Sequence, residues 1–568
     1  MYLGGGKKKP SSSAARSKKE EAIEKAIERE EKRMKRLSAS ASGAVSAVKK
    51  RSSSSRIRSV KAKVIGDFFR KTRRRRIEVF LKSVCNDSGV CMAFGKESDK
   101  IKEYFDGFIS FEHVDEVKRI GQESNNGFVN SIKYEKNGYV SYCVLKSSRD
   151  DELDNLMYEY LVGQYINKMC RIFPCFLETY GLYKYNSVAD WRKLIGNGNN
   201  KTTLKNSLML LNEADLAVGC YFSKYISILI QNVAKAHSVY DYLMNENVQD
   251  ATIFFKYDLL PILFQIYCPL AFMKNNFTHY DLHLDNILLY SAKPNHYFLC
   301  HYHLPDSTEE EPHIISFKTK SIAKIIDYGR SYFHDNAESN SRAIRKALCD
   351  TPLCDPDCGQ DVGFHWLKKS SHYINSTKRN MSHDLTALYK IKKCIKNEYQ
   401  HINTGLHNLL HSIEYEGKFG TPEVEGTSAD DVIRNVDDAY IKISELIQSE
   451  DQVALNSRRF IDRIKQGDLH VYCDGSRKMR YEPYIDPAVK EAKAAEKEAI
   501  KAQRMADRET EKAAVSTVST ATKASTATKA STATKASTAS TATKASTAST
   551  ASTASTVSTA TKASSAIP

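Results

Sequence analysis

Two short segments constrain this 568-residue chain more than anything else in it. In FTHYDLHLDNILLY, residues 277–290, and AKIIDYGRSYF, residues 323–333, a cluster of polar residues abuts an apolar run, Ile287-Leu288-Leu289 in the first and Ile325-Ile326 in the second. Runs this short and this apolar read as buried strands. Both segments in order, each with its polar residues, Asp281 and Asn286 in the first and Asp327 in the second, beside an apolar run of the right kind, make a stronger signal than either alone.

The order of elements over 77–485 says what kind of core that is. Alternating, strand-like segments come first, at Val117 to Ile120, Gly127 to Tyr134, Tyr139 to Lys146 and Tyr225 to Val233. Helical stretches come next at Ile253 to Asn275 and Met381 to Asn397, with strands embedded at Asn286 to Tyr290 and Ser321 to Ile326. Strands first and helices later predict an α+β arrangement of two lobes. The longest apolar stretch, Leu259 to Phe272, is broken by Pro261, Gln265 and Pro269 and is shorter than the ~20 residues of a membrane span. It reads as a buried core helix, and no transmembrane segment is expected.

The polar positions suit one chemical task. Moving a phosphoryl group needs a carboxylate that orients the attacking hydroxyl and takes its proton, and hard oxygen ligands that hold a divalent cation on the phosphates. Asp281 fits the first role, Asn286 and Asp327 the second. The bland alternative makes His279 a core histidine and the acids turn caps, and it requires three separate polar positions to coincide.

On these residues the chain resembles the eukaryotic-type Ser/Thr protein kinases. His279-Tyr280-Asp281 matches the HRD motif, Asp281 and Asn286 keep its Asp-x4-Asn spacing, and Asp327-Tyr328-Gly329 matches DFG. The looseness of the match, and GFVNSIKY after a long glycine loop, are most similar to the divergent kinases of large DNA viruses. The resemblance covers about 115–400, and at its widest 77–485. It implies a two-lobed fold with a small strand-rich N-lobe, 77–236, and a larger helical C-lobe, 237–485. It implies Asp281 as base, His283 near the γ-phosphate, and Asn286 and Asp327 on Mg²⁺, with Mn²⁺ as the alternative ion. Lys146 would grip the phosphates of ATP, held by Glu159, with Glu152 as the competitor for that place. Gly121, Gly127 and Val129 would cover the nucleotide, and backbone groups of Gln231 and Val233 would meet adenine. Asp384 would anchor the catalytic loop.

Several departures bear on mechanism. Tyr280 stands where the HRD arginine pairs with a phosphorylated activation loop. His283 stands where Lys or Arg is usual, and its charge near pH 7 is not fixed by its type. The glycine loop lacks its middle glycine and is one residue too long, and a long insertion, 291–320, separates Asn286 from Asp327. Farther on, Cys349, Cys354, Cys358 and His365 offer four ligands for a structural Zn²⁺. Their spacing is irregular, and free thiols near a turn are the commoner explanation.

The ends are unlike the middle. Residues 1–76 hold 25 Lys and Arg against 7 Asp and Glu, whereas 77–568 hold 59 against 61. The basicity belongs to the arm, which reads as mostly disordered with one charged helix, either binding nucleic acid or another anionic surface or acting as a solubilising tail. Residues 486–514 read as a charged helix, and 515–568 as a disordered tail built on ATKAST repeats at 521–526, 527–532 and 533–538. Thirteen irregularly spaced cysteines and no secretory signal predict reduced thiols in an intracellular protein, in host cytoplasm or nucleus or, for a viral protein, the virion. The expectation is an ATP-dependent Ser/Thr protein kinase acting on a protein substrate that the sequence does not name. Its rivals are a small-molecule phosphotransferase of the aminoglycoside or choline kinase type and a catalytically silent pseudokinase scaffold.

Overall fold

The computed structural model describes residues 77–484 apart from short stretches, the longest being 212–224 and 350–364, together with scattered positions between 495 and 509. The chain divides into two compact units, Met1–Tyr484 and Ile485–Pro568.

After a short helix, Ser98–Tyr104, the first unit runs into three strands whose alternating residues turn inward: β1 (Val114–Ser124), β2 (Gly127–Lys136) and β3 (Tyr139–Ser147). Asn137 and Gly138, both at positive φ, make the tight turn between β2 and β3, the turn whose twist suits a two-residue hairpin. Helix α1 (Leu156–Met169) buries Leu156, Val162 and Ile166 on one face, and its Glu159 with them. Strands β4 (Thr179–Tyr185), β5 (Leu208–Leu210) and β6 (Ile226–Gln231) complete a sheet in the order β1-β2-β3-β6-β4-β5, antiparallel at every pairing.

Helices dominate the next part of the chain, around α2 (Leu259–Met273). With the helical turns before it, α2 forms the run Val248–Met273, which among the described residues is the one long and apolar enough to cross a membrane and is mostly buried inside the protein. Buried Gln265 gives α2 a second task, because its amide donates to Ser321 O at 3.1 Å and accepts from Ala323 N at 3.0 Å. It thereby aligns the strand that leads to Asp327, satisfying polar groups that would be costly to bury unpaired.

The insertion at 291–320 is itself folded. After β7 (Ile287–Ser291) come β8 (His296–His303), β9 (Ile314–Thr319) and β10 (Ser321–Ile325). Helices α3 (Thr386–Cys394) and α4 (Val436–Gln448) then lead to β11 (Ile464–Tyr472) and β12 (Arg480–Pro483). β8 and β9 pair with these last strands in a second sheet, β9-β8-β11-β12. The chain is therefore α+β, with strands in both halves of the first unit.

One sequence expectation is corrected. Cys85 and Cys91 form a disulfide and pair in an isolated antiparallel β-bridge, so the thiols are not all reduced, a pairing that irregular spacing does not reveal. The arm at 1–76 and the repeat tail lie outside the described residues. Of the charged segment 486–514, the described positions Ala495, Glu498, Ala499, Ala502, Gln503, Met505, Ala506 and Glu509 are helical and exposed.

Candidate functional site

β3 ends on Lys146, whose side chain leaves the sheet toward α1. Its Nζ lies 2.6 Å from Glu159 Oε2 and 2.9 Å from Asp327 Oδ1, so the ammonium is shared with a carboxylate 181 positions further along the chain. Glu159 is almost fully buried, which settles it as the partner of Lys146; Glu152 lies outside the described residues. Burial alone would lower the pKa of Lys146, but the carboxylates of Asp327 and Glu159 reverse that and hold it well above the ordinary lysine value. Burial likewise works to raise Asp327, and Lys146 beside it prevails, leaving that carboxyl at about 2. Asp327 is therefore an anion at neutral pH, and its side chain remains 36% accessible.

Residues 277–286 form a loop held from three sides. Asp384, in the turn before α3, is buried and accepts the backbone N–H of His279 at 2.8 Å and of Tyr280 at 3.0 Å. Burial pushes its carboxyl up to about 7 against the pull of those two donors. The His279 ring accepts the Asp281 N–H at Nδ1, so its proton sits on Nε2, 3.0 Å from Ile326 O. Burial also lowers the pKa of His279, in keeping with that neutral tautomer. Asn286 Nδ2 donates to Asp281 O at 2.9 Å, and Asn286 O accepts from Ile326 N at 3.0 Å. The loop and the segment before Asp327 are thus joined by their own hydrogen bonds. Tyr280 and Asp327 both adopt positive φ, 64° and 67°, a conformation uncommon outside glycine. Such outliers persist only where the surroundings over-determine them.

A cleft of about 900 Å³ lies between the first sheet and Leu288 and Ile326–Tyr328, lined among others by Gly121, Val129, Lys146, Gln231, Val233 and Asp327. The added length of the glycine segment is accommodated by a bulge in β1. Ile120 pairs with Val129 and Ser124 with Gly127, so β1 carries the extra length between those two pairs, and Gly121 takes φ 63° there. Gly127 is required for a different reason: at φ 118°, a Cβ on it would stand 1.9 Å from Ser147 O. The N–H groups of Gln231 and Asn232 are engaged by Glu178 O and Tyr142 O, which sets the path of the chain along the cleft wall.

A scan against protein-family models finds no match, and a search of curated proteins finds no relative. The site therefore has to be read from its own geometry. Asp281, Asn286 and His283 are outside the lining of the cleft, connected to it through Ile326 and Asp327. His283 Nδ1 is 3.5 Å from Asp285 Oδ2, and Tyr280 sends its hydroxyl to Lys378 O at 2.7 Å. Cys354 and Cys358 lie outside the described residues, as do the side chains of Cys349 and His365, so the zinc grouping is not part of the described site. Among the described residues, one group of three metal-ligating side chains converges, Asp106, Glu112 and His113, and Lys136 Nζ already serves Asp106 at 2.7 Å.

Sequence reasoning missed Arg330. Its Nη1 lies 3.7 Å from Asp281 Oδ2, and its charge also helps depress the Asp327 carboxyl. Its place immediately after Asp327-Tyr328-Gly329 was the available signal.

Proposed function

We propose that the chain is an ATP-dependent protein kinase of the divergent kind that large DNA viruses encode, with the first sheet and α1 as the small lobe and the helical part as the large one. The observation that carries this reading is the ammonium of Lys146 shared between buried Glu159 and Asp327 on the wall of a nucleotide-sized cleft. Gly121 of β1 and Val129 of β2 in the wall of that cleft favour a protein kinase over small-molecule phosphotransferases, which usually keep no glycine-rich loop.

The donor set fits a hard divalent cation. Asp327 is ionised, and Asn286, whose Nδ2 is spent on Asp281 O, has its amide oxygen left for a metal. Mg²⁺, or Mn²⁺ in its place, would neutralise phosphate charge there. Lys146 binds the α- and β-phosphates. Asp281 orients the acceptor hydroxyl and takes its proton as oxygen bonds to the γ-phosphorus and the bond to ADP breaks.

Two carboxylates with different tasks supply the test. Asp281→Asn should cut turnover by at least ~10²-fold and leave Mg·ATP affinity nearly unchanged. Asp327→Asn should weaken metal-dependent ATP binding as well as turnover. Wild-type protein that binds ATP equally with and without Mg²⁺, and phosphorylates neither a protein mixture nor small alcohols, would leave the scaffold reading instead.

A further inference from the structure

We infer that Arg330 is the cation that holds the transferring phosphoryl group, a role that rests on the proposed kinase activity. Apart from Lys146, neither place where the family resemblance puts a cation is well filled. Tyr280 carries no charge and its hydroxyl is committed to Lys378 O. His283 is a weak base whose ring sits beside Asp285. Arg330 supplies a permanent charge at the right place: its guanidinium is 3.7 Å from the carboxylate assigned as base, and it follows the carboxylate assigned to the metal by three residues. A cation beside the proton acceptor is within reach of the phosphoryl group that the acceptor hydroxyl attacks.

The backbone around Arg330 is fixed in advance. Ser376 Oγ donates to Arg330 O at 2.7 Å, Ser331 Oγ to His279 O at 3.3 Å, and Tyr158 OH to Ser331 O at 2.6 Å. Tyr158 is the neighbour of Glu159 on α1, so the helix that positions Lys146 also positions Arg330. Beyond them, Tyr332–Phe333 pairs with Phe277–Thr278 in a short two-stranded sheet. The Arg330 side chain is 16% exposed, so a largely immobilised guanidinium meets the Asp281 carboxylate that phosphate oxygens would replace. Lys390 on α3, half-buried and within electrostatic reach of Asp281 and Asp285, is the competing cation.

The experiment compares Arg330→Ala, Arg330→Lys, His283→Ala and Lys390→Ala with the wild type, measuring the Kd ratio of Mg·ADP to Mg·ATP and phosphotransfer to a protein mixture. Loss of a charge-assisted contact to the γ-phosphate should cut the preference for ATP over ADP by about 10- to 100-fold in Arg330→Ala, with a comparable fall in turnover. Arg330→Lys should recover part of both, and millimolar guanidinium should restore turnover in Arg330→Ala and leave His283→Ala unchanged. Retention of nucleotide preference and turnover within about threefold in Arg330→Ala, or their loss in Lys390→Ala or His283→Ala instead, would overturn the assignment. So would faster turnover in Arg330→Ala, which would make the contact with Asp281 an inhibitory latch. Should Arg330→Ala not fold, Arg330→Lys carries the comparison, since a point charge in place of the fork must lower the ATP preference measurably. Wild-type protein with no Mg-dependent ATP binding would be the separate failure of the kinase reading itself.

Discussion

Replacing Lys146 by Met tests the electrostatic centre of the site. The substitution keeps most of the side-chain volume and removes the charge that Glu159 and Asp327 share at 2.6 and 2.9 Å. The two carboxylates do not contribute equally. The Glu159 side chain is 2% exposed and Asp327 36%, so water screens most of what Asp327 loses. Stranding a buried carboxylate costs about 3–5 kcal/mol, and the lower end is expected because the Glu159 carboxyl can take up a proton instead. Lys146→Met should therefore destabilise the fold by about 3 kcal/mol at pH 7.5, whereas Lys146→Met with Glu159→Leu should lie within about 1 kcal/mol of wild type. The sign of the pH dependence comes from Asp327. Its carboxyl is depressed in the fold, so the contribution of the pair is present above the unfolded value near 3.8 and disappears as pH falls toward 2. The deficit of Lys146→Met should accordingly shrink as pH is lowered. Urea denaturation of wild type, both single variants and the double variant, at pH 7.5 and about pH 3, measures the coupling and its loss. Additivity within about 0.5 kcal/mol, or a deficit in Lys146→Met under about 1 kcal/mol, would refute the shared-ammonium account.

Three further outcomes are expected. Gly127→Ala should destabilise by about 3 kcal/mol through its clash with Ser147 O, and Gly121→Ala, at positive φ but in open space, by only about 1 kcal/mol; equal denaturation midpoints would contradict the turn geometry. Because the Asp384 carboxyl is raised to about 7, its contribution to stability should be full below the unfolded value near 3.8 and lost as pH rises through 7, a slope that Asp384→Asn abolishes while costing about 1–3 kcal/mol for an N–H of His279 or Tyr280 left unpaired; denaturation between pH 5 and 8 reads both effects. Opening the Cys85–Cys91 bridge by reduction or by Cys85→Ser should cost about 2 kcal/mol, and thiol titration of the unreduced, denatured protein finding all 13 cysteines reactive would show that no bridge forms.

The sequence by itself determined the residues next to the chemistry and the strands that carry them. Asp281, Asn286 and Asp327 were legible because each adjoins an apolar run, and β2, β3, β6, β7 and β10 were legible because burial on one or both faces imposes its own periodicity. Asp384 was legible in kind, from its order along the chain. What only the tertiary structure decided are relations between residues far apart in sequence. That Lys146 pairs with Glu159 and Asp327 together depends on how β3, α1 and β10 meet, and no local pattern encodes that meeting. The fold of 291–320 was illegible because β8 finds its parallel partner in β11, more than 160 residues later, and a strand whose pairing is that remote gives no hairpin signal. Arg330 was passed over for the same physical reason. An arginine after a glycine is ordinary in sequence, and it becomes the cation beside Asp281 only once Ser376, His279 and Tyr158, from three other parts of the chain, fix the backbone that carries it.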